Sequence, residues 1–446
     1  MFHIFESVNR FQKWLNLSAG VMRYGKNTLW LIAERLSRIA AGLFVGVFVA
    51  RYLGPEQFGA LNFITAFVGL FASIAGLGLD VILVKELVQF PERKNQLLGT
   101  AFVLKVFGAI LMWGAILLVL LFTQHDAVTK ALICIVAFGS VFQAFDVVDF
   151  HYQAIVRSDL IVKVKLILIV ISSAVKLWLI YINASMAWFA AVITFDLFLQ
   201  AIGYSIIFYR NSGSFAVWAG DISTAKGLLK KSWPLILSGV VISVYMGIDK
   251  VMINEMLGPE EVGFYSIAVI ITSIFYFIPT VITQSIYPYI IEVKSDTSLY
   301  FSTLQKIHDA YFILGAVITA GVLLVSDWVV TFLYGEAFAP SIEILNVYIF
   351  AVIFIFHGAI RGHFYILENK QLLATMFRVI GLLINILLNF LFIKEFGVIG
   401  AAYATVISFV VPPYFFVLSD KVTRTNVSMM IKSYLCIFRW GYKWLR

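Results

Sequence analysis

Glu34, Arg35 and Arg38 stand in the stretch L-W-L-I-A-E-R-L-S-R-I-A-A-G-L-F-V-G-V-F-V-A, residues 29–50, which is otherwise apolar enough to cross a bilayer. On a helix the three fall within one arc of about 100°. Glu34 and Arg38 make a plain i, i+4 ion pair, and Arg35 is left over because one carboxylate cannot neutralise two guanidinium groups. A surplus of fixed positive charge suits an anion, and guanidinium groups take phosphate bidentately.

The same chemistry recurs along the chain. Seven basic residues (Arg35, Arg38, Lys105, Lys176, Lys250, Arg361, Arg378) and five acids (Glu34, Asp146, Asp149, Asp196, Asp249) lie inside apolar stretches. A charge at the centre of a membrane helix costs about 2.5–3.5 kcal/mol even on the lenient insertion scale, so such residues are expected to face a bundle interior or a wet cavity. His357, Arg361 and Tyr365 stack at i, i+4, i+8, and Arg378, Asn385 and Asn389 share a second helix face. Gln143, Asp146, Asp149 and Gln153 form a third stripe. The structural alternative is that Lys105, Lys176 and Lys250, near span ends, reach the headgroups along their apolar stems.

These residues must be positioned by membrane helices. The chain is 61% hydrophobic and 13% charged, against about 25% charged in soluble proteins. Stretches of about 20 apolar residues, the length needed to span the hydrocarbon, number twelve on our reading. Helices are required, because backbone groups in lipid must bond within their own segment and the alternation of a membrane barrel is missing. Basic residues recur in every second connection, and only Arg51, Lys130 and Lys394 fall in the others. That bias places both termini in the cytoplasm. The expected fold class is an all-α integral membrane protein of twelve transmembrane helices in two pseudo-symmetric six-helix lobes around a central cavity.

The division into lobes has its own signal. L-G-P-E-Q-F-G at Leu53 to Gly59 recurs as L-G-P-E-E-V-G at Leu257 to Gly263, at the same place in each half. Locally each motif is a turn followed by Pro at the first helical position and Glu in the first turn. The expected organisation is a cytoplasmic amphipathic segment over 1–27, an N-lobe over 28–209, a cytoplasmic linker over 210–231, a C-lobe over 232–418, and a basic amphipathic tail over 419–446. Both ends read as helices lying on the inner leaflet.

Other signals carry less. G-V-M-R-Y-G-K-N at Gly20 to Asn27 only approximates a phosphate-binding loop, since Asn27 stands where Ser or Thr is required. Cys134 and Cys436 are far apart, and His125, His151, His308 and His363 have no metal-ligand spacing. No cofactor, metal or nucleic acid is expected. Pro279 and Pro288 are expected to kink span eight, read over 263–289.

The stretches N-T-L-W-L-I-A-E-R-L-S-R, V-A-R-Y-L-G-P-E-Q-F-G and A-G-L-G-L-D-V-I-L-V-K-E within residues 27–86 resemble the amino-terminal signature of bacterial oligosaccharide flippases of the O-antigen type, in the polysaccharide transporter family. The resemblance implies export of undecaprenyl-diphosphate-linked sugar units to the outer leaflet of the bacterial inner membrane by alternating access, and no enzymatic activity. On that reading Arg35, Arg38, Arg361, Arg378 and Lys105 hold the diphosphate and glycan. Gln143, Gln153, Tyr365, Asn385 and Asn389 bond sugar hydroxyls, and Glu34, Asp146, Asp149 and Asp196 pair charges or couple ions. The expected partners are the lipid-linked oligosaccharide, membrane lipids and polysaccharide-assembly proteins. The repeat aligns Glu34, Arg35 and Arg38 with Ser238, Gly239 and Ile242, which do not supply a second cationic clamp. The alternatives are a multidrug or cation antiporter of the same fold, whose lumen should be net acidic, and a membrane-embedded glycan polymerase.

Overall fold

A computed structural model describes the backbone of residues 2–415 and 421–436, and the side chains of 27–414 and 421–436. The side chains of the amino-terminal amphipathic segment, and the tail beyond 436, lie outside the described residues. In chain order the helices are α1 (Phe2–Leu70), α2 (Ala72–Gly76), α3 (Leu79–Gln89), α4 (Lys94–Phe122), α5 (Ala127–Phe138) and α6 (Asp146–Ala154). They continue as α7 (Ser158–Tyr181), α8 (Met186–Ser212), α9 (Ile222–Leu257), α10 (Pro259–Ser273), α11 (Phe277–Glu292) and α12 (Thr297–Tyr334). The remainder are α13 (Ser341–Tyr348), α14 (Ala351–Leu367), α15 (Gln371–Phe396), α16 (Val398–Phe415) and α17 (Lys421–Tyr434).

Nine stretches among the described residues are long and apolar enough to cross a membrane. The first, Asn27–Leu70, bends at Gly54 and holds two spans. α7, which carries Asp159, Lys163, Lys165 and Lys176, and the short apolar α16 complete the twelve that the sequence leads one to expect. Several spans are broken where polar residues must be placed. Leu77 and Gly78 are both left-handed, so α3 restarts with Asp80 in its first turn. A 3-10 segment, Gly139–Phe145, separates α5 from α6 and puts Asp146 and Asp149 at the start of the latter. Span eight breaks at Ile274–Tyr276, just before Pro279.

The repeated motif folds the same way twice. Gly54 (φ 69°, ψ 174°) and Gly258 (φ 103°, ψ 175°) adopt a backbone that side-chain-bearing residues avoid, and each is followed by Pro at the start of a helix. Four residues on, Gly59 lies against the Pro259 carbonyl, and Gly263 lies against the Pro55 carbonyl. The two motifs therefore cross in backbone contact, in a reciprocal arrangement.

The chain forms two compact units, one of residues 1–49 and 71–240, the other of 50–70 and 241–446. The first unit has a core of Leu79, Leu83, Leu98, Val147, Val148 and Phe208. The polar segment after α8 packs on it: Phe215 and Trp218 contact the Phe208 ring, and the Asp221 amide donates to Thr100 Oγ1 at 3.1 Å. Asp221 caps α9 by accepting from the Thr224 hydroxyl (2.6 Å) and amide (2.7 Å), which holds its carboxyl below the usual carboxylate range.

Candidate functional site

Each unit holds a polar cluster inside apolar helices. In the first, α1 carries Glu34, which is buried, and Arg38, whose guanidinium pairs with it while remaining exposed. Arg35 is exposed and has no ion-pair partner among the described residues. Deeper in the unit, Lys105 on α4 is only 4% exposed. Its ammonium lies 3.6 Å from Asp80 and 3.9 Å from Asp146, and sits over the Phe150 ring at 5.0 Å. Asp146 also accepts from Gln200 (3.0 Å). One turn along α6, Asp149 accepts from Lys165 (2.7 Å) and Gln153 (3.0 Å). The buried Tyr204 hydroxyl has no hydrogen-bond partner among the described residues. Asp196 is engaged separately by Ser172 (2.7 Å) and Lys176 (3.4 Å). Gln143 is half-buried.

Lys105 is thus an internal counter-ion, not a headgroup-seeking lysine. Replacing it with Met leaves Asp146, which is half-buried, with Gln200 as its remaining partner, so the loss should fall below the roughly 3–5 kcal/mol of breaking a fully buried pair. The contribution of Asp80, which is mostly exposed, is screened. We expect Lys105→Met to lower the Tm of the detergent-solubilised protein, and Lys105→Met with Asp146→Asn to recover part of the loss. Equal Tm for the single and double variants would refute the pairing.

The second unit contains a cavity of about 480 Å3. Its charged lining is Lys250, Arg361 and Arg378 against a single carboxylate, Asp249. Its walls include Ile242, Tyr245, Phe354, Phe377 and Phe409. Lys250 donates to Asn62 (3.0 Å), whereas Arg361 has no carboxylate partner among the described residues. Asp249 is fully committed: Tyr265 Oη (2.7 Å), Thr405 Oγ1 (2.8 Å) and Asn389 Nδ2 (2.6 Å) all donate to it. Asn385 joins through Oδ1, which accepts from Asn389 (3.2 Å). The buried Asn389 Oδ1 has no hydrogen-bond partner among the described residues. No group of three His, Cys, Asp or Glu able to hold a metal exists among the described residues.

The placements differ from residue to residue. Arg361 and Arg378 share the cavity, while Asn385 and Asn389 are buried against Asp249. Tyr365 is fully buried against Phe364 and Phe377. Tyr265 and Thr405 complete the Asp249 cluster, and Asp80, Lys165 and Gln200 complete that of Lys105; none of the five stood out in the sequence. Lys165 read as a flank residue there, Asp80 appeared only within the stretch A-G-L-G-L-D-V-I-L-V-K-E with no role of its own, and the hydroxyl and amide partners have no signature in an apolar helix. His308 Nδ1 meets His357 Nδ1 at 2.9 Å across 49 positions of sequence, which spacing rules do not detect.

Charged clusters held within long apolar helices define a multi-pass membrane protein that keeps polar groups inside the bilayer. The chain belongs to the family described as polysaccharide biosynthesis protein, whose profile matches residues 24–294, more than half its length. Over 193 residues it is 25% identical to the probable low-salt glycan biosynthesis flippase Agl15 of Haloferax volcanii. That match spans 43% of this chain and 41% of the relative's length. Among solved structures, the lipid II flippase MurJ in an inward closed conformation superposes with a TM-score of 0.69 at 16% identity, covering 93% of both chains. An inward-facing multidrug resistance MATE family transporter of the MOP superfamily gives 0.64 at 14% identity, over 91% of this chain and 96% of that one. The fold is accordingly the twelve-helix, two-lobe fold of these two neighbours.

Proposed function

We propose that the protein is a flippase that moves polyprenyl-diphosphate-linked oligosaccharides across the membrane by alternating access, with Arg361 and Arg378 holding the diphosphate. The observation that carries this reading is the cavity of the second unit, where three cations face one carboxylate that is already hydrogen-bonded by three neighbours. A net basic, partly aromatic cavity selects a phosphate-bearing head and sugar faces. It disfavours the cationic drugs that an antiporter would carry. The family membership and the partial likeness to a glycan biosynthesis flippase support the same substrate class. In a bacterial inner membrane the carrier would be undecaprenyl diphosphate, with both termini cytoplasmic as the basic flanks require. Outward movement of about two negative charges gains roughly 2.3 kcal/mol per charge per 100 mV when the interior is negative.

The test is depletion of the protein followed by analysis of lipid extracts. A lipid-linked oligosaccharide should accumulate, shielded from glycosidases added outside the cell. Accumulation of an unpolymerised unit that is accessible from outside would indicate a polymerase instead. Ethidium retention on depletion, without any lipid-linked intermediate, would indicate the antiporter.

A further inference from the structure

α17 is held in the second unit by its buried face. Asn426 Nδ2 reaches His308 (3.4 Å), Ser433 Oγ reaches His357 (3.5 Å), and the Met429 carbonyl accepts from Gln305 of α12 (3.0 Å). Its other face presents Arg424, Ser428 and Lys432 at i, i+4, i+8, with Thr425 beside them. This face and the first turns of α12 enclose an open groove of about 500 Å3, to which α12 contributes Phe301, Ser302 and Gln305. Neither Arg424 nor Lys432 has an ion-pair partner among the described residues, and Asp309 is buried and occupied by Gln305.

The depth of the groove follows from the length of α12. Its 38 residues extend about 57 Å, against roughly 30 Å of hydrocarbon. Trp328, exposed and stacked on Phe332, marks one boundary as interfacial aromatic residues do. Twenty residues back, the other boundary falls near His308. Phe301 to Gln305 then lie about 5–10 Å beyond it, at headgroup level on the side of the basic flanks. Ile431 and Leu435, both exposed, adjoin Lys432 on the apolar side.

We propose that this groove binds the phosphate of an anionic glycerophospholipid of that leaflet. Arg424 and Lys432 supply charge, the Ser302, Thr425 and Ser428 hydroxyls supply neutral donors, and Ile431 and Leu435 lie along the acyl chains. The bound lipid bridges α12 and α17. The site is independent of the cavity at Arg361, and no step of export is assigned to it.

Native mass spectrometry of the full chain, released from detergent with added phosphatidylglycerol, phosphatidylcholine or inorganic phosphate, tests the proposal. Wild type should retain phosphatidylglycerol over phosphatidylcholine. A basic side chain near a membrane surface contributes about fivefold in affinity, so Arg424→Gln with Lys432→Gln should reduce retention by about twenty-five-fold. Lys421→Gln, exposed on the same helix but outside the groove, should leave it unchanged. Unchanged retention in the double variant, equal retention of phosphatidylcholine, or displacement by millimolar inorganic phosphate would each overturn the assignment.

Discussion

Arg361→Ala is expected to reduce export of the lipid-linked oligosaccharide by about a hundred-fold at unchanged abundance in the membrane. Arg361 lines the cavity of the second unit and has no carboxylate partner among the described residues. Its guanidinium therefore remains available for a phosphate, to which two parallel charge-assisted hydrogen bonds can form. A hydrogen bond to a charged group contributes about 1.5–3 kcal/mol, so losing the fork costs at least two powers of ten in binding. Arg361→Lys keeps the charge but loses the fork, and should fall between the two. Lys176→Gln is the control, because Lys176 is engaged by Asp196 in the other unit and does not line the cavity. The measurement is transfer of a lipid-linked sugar in proteoliposomes. A wild-type rate for Arg361→Ala would remove Arg361 from the substrate path.

The helical, membrane-spanning character was legible because hydrocarbon imposes one length and one backbone solution on every span. Charges inside those spans were legible too, since each is too costly to be accidental. Their partners were not. Asp249 is resolved by Tyr265, Asn389 and Thr405, which come from three different helices, and no rule of helical periodicity relates them. The i, i+4 geometry did give Glu34 with Arg38, because both partners lie on one helix. Periodicity placed Asn385 and Asn389 on one side of α15, but it could not name the carboxylate that Asn389 meets there. The breaks within the second span, 58–82, and the fourth, 129–153, lie at the left-handed and 3-10 backbone of Leu77, Gly78 and Gly139–Phe145. An apolar stretch of sequence does not record them.

Gly59→Leu is expected to abolish transport and to lower the Tm by several degrees, and Gly263→Leu to do the same. The positions are equivalent in the duplicated motif, and each approaches the backbone of the other motif's proline. A first side-chain carbon at Gly59 would overlap the Pro259 carbonyl, and one at Gly263 the Pro55 carbonyl. Overpacking of a core costs about 1–3 kcal/mol when side chains can move aside. Here the obstacle is backbone, fixed by a proline and by a glycine at positive φ on each side, so relief requires the two helices to part. Small residues at such crossings are what allow membrane helices to pack backbone to backbone. Gly59→Ala should show the same defect at reduced size. Gly69→Ala, which meets nothing within 4 Å, should leave both transport and Tm unchanged, since alanine is the better helix former. If Gly59→Leu matches wild type in both measurements, the reciprocal crossing is not required, and the repeat is retained only for helix initiation at Pro55 and Pro259.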